Sequence, residues 1–151
     1  KDLETPELTV NGGGMFVSVG PNGDNGLSGK KLVVDAYGPT VPIGGGAWSG
    51  KDLHKVDRLG GLLARQLAKR IVKVGLAGEA LVFLEYLPGG AAPSQVLVRP
   101  DGSSASILFE KLLKGVCLDN ETVWRDLKEC NASFESLACW GHHHMGLPWE
   151  R

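Results

Sequence analysis

Cysteine is scarce in this chain: Cys117, Cys130 and Cys139 are the only three in 151 residues. An odd count without a C-x-x-C pair argues against a disulfide framework and against a structural zinc site, and points to a reducing, cytoplasmic setting. Long apolar runs are lacking as well. The longest, Ala80 to Leu84, is far too short to span a bilayer, and the opening KDLETPELTV holds no apolar signal core. Neither charge dominates: 16 basic against 17 acidic residues leave a net −1, so no global field draws nucleic acid or an anionic membrane. Internal repeats of solenoid period and low-complexity tracts are missing too. The first residue is Lys rather than Met, which suggests a processed product or a fragment.

What remains is an ordinary globular composition, 42% hydrophobic and 22% charged. A chain this long forms one domain, 1–151, burying about 70% of its unfolded surface. Met15–Val19 and KKLVVDAY (30–37) read as strands, the second largely buried. The intervening loop, GPNGDNGLSG, is rich in residues that tolerate positive φ. After a long loop over 39–50, Asp52 is placed to cap a helix. Its apolar positions are Val56, Leu59, Leu63, Leu67, Ile71 and Val74, and Gly75 is its stop. Arg58, Arg65, Gln66, Lys69 and Lys73 fall mostly on its other side, and the basic face Arg65, Lys69 and Lys73 is read as solvated rather than as an RNA contact. Gly60-Gly61 costs such a helix about 1 kcal/mol per glycine relative to Ala, so another element is expected to pack closely there. Strands over 80–87 and 95–99 and helices over 104–115 and 122–129 complete an α+β fold, a sheet with helices packed on one face.

Residues 44–52, GGGAWSGKD, pose the functional question. Gly45, Gly50 and Lys51 match the start of a P-loop, but Asp52 stands where that motif needs a hydroxyl for Mg²⁺. The surroundings still point to an anion. Lys30 and Lys31 follow a glycine loop, Lys51 closes another, and Lys55 lies one turn on, at a helix N-terminus that itself favours negative charge. Asp57, in the first turns of that helix, can hold a Mg²⁺ bridging phosphates. Asp24 can accept bonds from a substrate's hydroxyl or amino groups, and Phe16 offers a face on which a purine can stack. Each of these residues also has an ordinary structural role open to it, as a solvated lysine, a turn aspartate or a core phenylalanine. Together they read as a polyphosphate-binding domain. Adjacent residues point in different directions, so His142-His143-His144 is not expected to ligate one metal, and His142 reads as structural.

The ordered segments GPNGDNGLSGKKLVVDAYG and GGGAWSGKDLHKVDR, followed by EYLPG and WGHHHMGLPWE, resemble the carboxy-terminal part of the S-adenosylmethionine synthetases, from about Asn11 to Glu150. The resemblance implies a methionine adenosyltransferase that makes S-adenosylmethionine from ATP and methionine and splits the triphosphate into phosphate and pyrophosphate, with Mg²⁺ and K⁺ as cofactors. By the same resemblance, Met15, Phe16, Asp24, Lys30, Lys31, Ala47 and Lys51 would contact ATP or its triphosphate. Asp24 and Lys55 would meet methionine, Lys31, Lys51 and Lys55 would serve catalysis, and Asp57 would bind metal.

Several positions depart from the family pattern. Met15 replaces a basic residue, Lys30 an arginine, Trp48 a phenylalanine, and Leu87-Pro88 an Ala-Ile pair beside the methionine side chain. Replacing arginine by Lys30 keeps charge but loses bidentate phosphate recognition. The amino-terminal catalytic segments of the family have no counterpart in these residues. The resemblance therefore implies a carboxy-terminal subunit or fragment of the enzyme, with a second polypeptide completing the site in a hetero- or homo-oligomer. The alternative is a non-catalytic module that associates with, and regulates, a full-length synthetase.

Overall fold

A computed structural model of the chain describes residues 8–15, 17–23, 32–48, 51–52, 54–101, 116, 118–129, 133–143 and 146–150. The helix expected over 104–115, and the site candidates Phe16, Asp24, Lys30 and Lys31, lie outside the described residues.

The organising element is the long helix, preceded in the chain by a short one. Helix α1 runs Leu32–Tyr37 and helix α2 runs Val56–Lys73. Leu59, Leu62, Leu63, Leu67 and Ile71 of α2 are all at most 2% exposed, a stripe of helical period turned to the core. Val56 and Val74, expected on that stripe, sit at its ends and are exposed. The stop at Gly75 is as the sequence predicts. Gly75 takes φ +74°, its N–H bonds Val72 O at 3.0 Å, and the Leu76 N–H bonds Ile71 O at 3.2 Å, the paired bonds of a Schellman ending.

Helix α2 lies against a two-stranded antiparallel sheet, β1 (Ala80–Glu85) and β2 (Gln95–Pro100), in register from Ala80↔Pro100 to Glu85↔Gln95. Val82 and Leu84 of β1 pack on the core. Helix α3 (Asn120–Lys128) starts at Asp119, whose carboxylate accepts the Thr122 N–H at 2.9 Å, and its Val123 joins the core. A further helix, α4 (Phe134–Ala138), was not anticipated; Ser133 caps it by accepting the Ser136 N–H at 3.1 Å. The α+β class predicted from the sequence, a sheet with helices packed on it, is the one the chain adopts, and its described sheet is antiparallel.

Two expected strands are not strands. Residues 32–37 form α1, with Val33 buried and Tyr37 packed on the same core one turn later, while Val34 and Ala36 are exposed. A short apolar run fits either periodicity, and here the i, i+4 pair decides it. Among the described part of 15–19, Met15, Val17, Ser18 and Val19 lie in no strand and are exposed. A strand needs a backbone partner, and no described strand pairs with them.

Both helix glycines are close-packing points, as predicted. A Cβ at Gly60 would come 2.8 Å from the Tyr86 ring, and one at Gly61 would come 2.5 Å from the Trp48 indole nitrogen. Gly12, in the glycine-rich opening, lies against the Pro88 carbonyl, which brings that opening beside the EYLPG turn.

Candidate functional site

The GGG loop, the Lys51 turn and the start of α2 converge. The Lys51 ammonium forms an ion pair with the Asp57 carboxylate, and that carboxylate lies so close to Gly45 that a Cβ there would overlap it. Ala47 and Trp48, next along the loop, are buried, and Trp48 is anchored in the core against Gly61. Asp57 of this pair lines a cleft of about 970 Å³ between the loop, α2 and β1.

Asp52 does not cap α2, contrary to the sequence reading. The N-cap is Lys55, without a side-chain cap bond, because the helix begins three residues later than Asp52 could serve. Asp52 is spent on its own turn: its carboxylate accepts the His54 N–H at 2.9 Å, and its carbonyl accepts the Lys55 N–H at 3.3 Å. Lys55 extends into solvent, with 64% of its side chain exposed, and its ammonium lies 3.8 Å from Asp52. The helix start therefore lies beyond Lys51, unlike a Walker loop, where the helix follows the lysine directly. His54 stacks on Trp124 of α3 with centroids 4.4 Å apart, tying that helix to the turn. Met15, in the glycine-rich opening, is 87% exposed.

Arg65 and Lys69, read as a solvated face, turn out to be paired. Both hold the Glu150 carboxylate, whose side chain is only 6% exposed; Lys69 Nζ donates at 2.5 Å and Arg65 Nη2 at 3.0 Å. Arg65 also donates to the Tyr37 hydroxyl, so α1, α2 and the chain's last turn share one network. Burial alone would raise the Glu150 pKa, but the hydrogen bonds from Arg65 and Lys69 outweigh it and leave it lowered. The bond to Glu150 likewise raises Arg65 despite its partial burial.

His142 is fully buried and leans on Trp48, centroids 5.2 Å apart. Burial first, and the Arg58 charge second, lower its pKa to about 4. The expected structural role fits this setting, and His144 lies outside the described residues. Arg58, read from the sequence as lying with Arg65, Gln66, Lys69 and Lys73 on the polar side of α2, is instead a 2%-exposed guanidinium one residue after Asp57. Its signal was its place one turn before Leu62, on the apolar side of α2. Among the described residues no helix is long and apolar enough to cross a membrane.

Fold and site together define an α+β domain with a lysine–carboxylate pair set beside a glycine loop. The family described as "S-adenosylmethionine synthetase, C-terminal domain" matches residues 18–151. The S-adenosylmethionine synthase of Porphyromonas gingivalis is 41% identical over 144 residues, which are 92% of this chain and 34% of that protein. That of Thermus thermophilus is 40% identical over 156 residues, covering 99% of this chain and 39% of the relative. A solved structure, that of an unusual S-adenosylmethionine synthetase from Campylobacter jejuni, superposes with a TM-score of 0.69 at 32% identity, over 81% of this chain and 34% of that one. The chain belongs to the S-adenosylmethionine synthetase family and corresponds to its C-terminal domain. It spans between a third and two-fifths of the length of the relatives it matches.

Proposed function

We propose that this domain, as a carboxy-terminal subunit or fragment of a methionine adenosyltransferase, supplies the triphosphate-holding part of a shared active site that the remainder of the enzyme completes. The observation that carries this reading is the Lys51–Asp57 pair set against Gly45 of the GGG loop. A cation and a metal-type carboxylate already meet there, beside a backbone without side chains.

In the reaction expected of the family, methionine sulfur attacks the ribose 5′ carbon of ATP as the bond from that carbon to the triphosphate oxygen breaks. Negative charge then builds on the departing triphosphate. Lys51, with Lys30 and Lys31, would bind and stabilise it, and electrostatic terms of this kind usually dominate catalysis. Lys55, extended into solvent on the turn before α2, would reach toward methionine at the phosphate chain. Asp24 would hold the amino acid and the nucleotide, while Met15 and Phe16 would line the adenosine and the Ala47 backbone would assist Lys51.

Asp57 fits Mg²⁺. Its carboxylate already faces a cation, the Lys51 ammonium, in a cradle that a side chain at position 45 would fill. Mg²⁺ is commonly held by one or two carboxylates together with substrate phosphates. When bound, the ion would neutralise charge on the phosphate chain. K⁺ belongs to this reading as the family's activator, with no residue assigned to it. Leu87 and Pro88, beside the glycine-rich opening, would set the shape of the amino-acid pocket, so methionine analogues are informative substrates.

Calorimetric titration with tripolyphosphate tests the reading. Binding to the wild type should strengthen when Mg²⁺ is added, Lys51→Ala should weaken it at least tenfold, and Asp57→Asn should abolish the Mg²⁺ dependence. Native mass measurement, with identification of every polypeptide present, tests the partner. A lone homo-oligomer that binds neither ATP nor tripolyphosphate would instead leave the regulatory module as the reading.

A further inference from the structure

A guanidinium that is 2% exposed is costly to bury unless its donors are used. Arg58 follows Asp57 on α2, and one residue of a helix turns about 100°, so the two side chains leave on different sides. Asp57 faces the cleft, whereas Arg58 points into the core. There Arg58 Nη1 donates to the backbone carbonyl of Lys51 at 2.6 Å, and Nη2 lies 3.4 Å from His142 Nε2. Consecutive residues of one helix thus grip Lys51 twice, Asp57 at its ammonium and Arg58 at its backbone.

His142 is held in turn. Its carbonyl accepts the Trp149 indole N–H at 2.8 Å, and its ring lies against Trp48, the residue that anchors the far end of the GGG loop. Arginine can only donate, so a bond between the two requires His142 Nε2 to accept, with the imidazole neutral and its proton on Nδ1. The lowered His142 pKa agrees with that state.

We infer that Arg58 and His142 are positioning residues of the polyphosphate site: Arg58 fixes the Lys51 backbone so that its ammonium meets Asp57 at the GGG loop, and His142 orients Arg58. This rests on reading Lys51 as a phosphate ligand. It extends the site to the chain's far end, since Arg58 and His142 are 84 residues apart.

The test compares wild type, Arg58→Lys, His142→Leu and His142→Gln, with two readouts. The first is calorimetric affinity for tripolyphosphate. The second is hydrogen exchange at the amides of residues 51–55, set against those of 62–71 in the core of α2. Arg58→Lys keeps the charge but cannot span both partners. It should lose roughly tenfold in affinity, as befits one lost hydrogen bond to a charged group, with faster exchange over 51–55 and unchanged exchange over 62–71. His142→Leu should do the same, and His142→Gln, which restores an acceptor, should recover most of the loss. Affinity and exchange unchanged in both Arg58→Lys and His142→Leu would overturn the inference. Loss of protection throughout α2, with no recovery in His142→Gln, would also overturn it, because that is a general packing defect. Should the wild type bind no tripolyphosphate, the phosphate reading fails by itself and local exchange alone decides the positioning claim. Should Arg58→Lys not fold, a trans-hydrogen-bond NMR coupling from Arg58 Nη1 to the Lys51 carbonyl carbon in the wild type replaces it, with its absence counting against the inference.

Discussion

At the scale of single residues, Gly60 and Gly61 differ although they are neighbours in one helix. A methyl at Gly61 would meet three atoms of the Trp48 indole at 2.5–2.9 Å, and that ring is 1% exposed and fixed by the core. At Gly60 only one Tyr86 ring atom comes closer than 3 Å, and Tyr86 is half-buried at the end of β1. Alanine in a helix gains about 1 kcal/mol over glycine, and overpacking costs about 1–3 kcal/mol. Gly61→Ala should therefore lose about 1–2 kcal/mol in urea unfolding, while Gly60→Ala should be near neutral. His142 gives a second prediction at this scale. Its folded pKa of about 4 lies below the unfolded value of 6.5, so below pH 6.5 the unfolded chain takes up a proton that the folded chain refuses. Stability should fall as pH drops from 6.5 through 4, by about 3 kcal/mol over the window. Urea unfolding across that range checks it, and the slope should flatten in His142→Gln.

At the scale of elements, the last turn of the chain acts as a clasp on α2. Glu150 holds Arg65 and Lys69, Pro148 O accepts a bond from Gln66 at 3.3 Å, and Trp149 is buried beneath them. Glu150→Gln keeps the shape but leaves two cations short of their counter-charge. We expect a loss of about 2 kcal/mol at pH 7, measured by urea unfolding. The pKa of Glu150 is lowered by folding, so its contribution is complete above the ordinary carboxylate value near 4.5 and disappears as pH falls through the folded value. The variant should accordingly lose part of the acid sensitivity seen below about pH 4. Elements set by local signals were legible in the sequence: α2 from its apolar spacing and Gly75, the β1–β2 hairpin from its paired apolar runs, and the close contacts at Gly60 and Gly61 from two glycines where helix formers were expected. The clasp was not, because Arg65 and Glu150 are 85 residues apart and no local pattern reports such a pairing. Helix α1 was misread because six apolar-rich residues satisfy either period until Val33 and Tyr37 are seen on one core. In the candidate site, Lys51, Asp57 and the GGG loop were legible as a charge pattern on a glycine loop. The hidden grip of Arg58 and His142 was not.

At the scale of the whole molecule, the described residues leave Val10, Met15, Val17 and Val19 between 71% and 96% exposed, around the glycine-rich opening. The relatives are between two and a half and three times the length of the matched segment, and under the proposed function the part of the enzyme that corresponds to the rest of them completes the site around Lys51 and Asp57. The most direct test is S-adenosylmethionine formation from ATP and methionine by the native assembly purified through this chain, wild type against Lys51→Ala. Product is expected from the wild type, with a loss of about a hundredfold or more in Lys51→Ala and the mass of the assembly unchanged. An intact assembly that forms no product, or one whose rate is indifferent to Lys51→Ala, would contradict the proposed function.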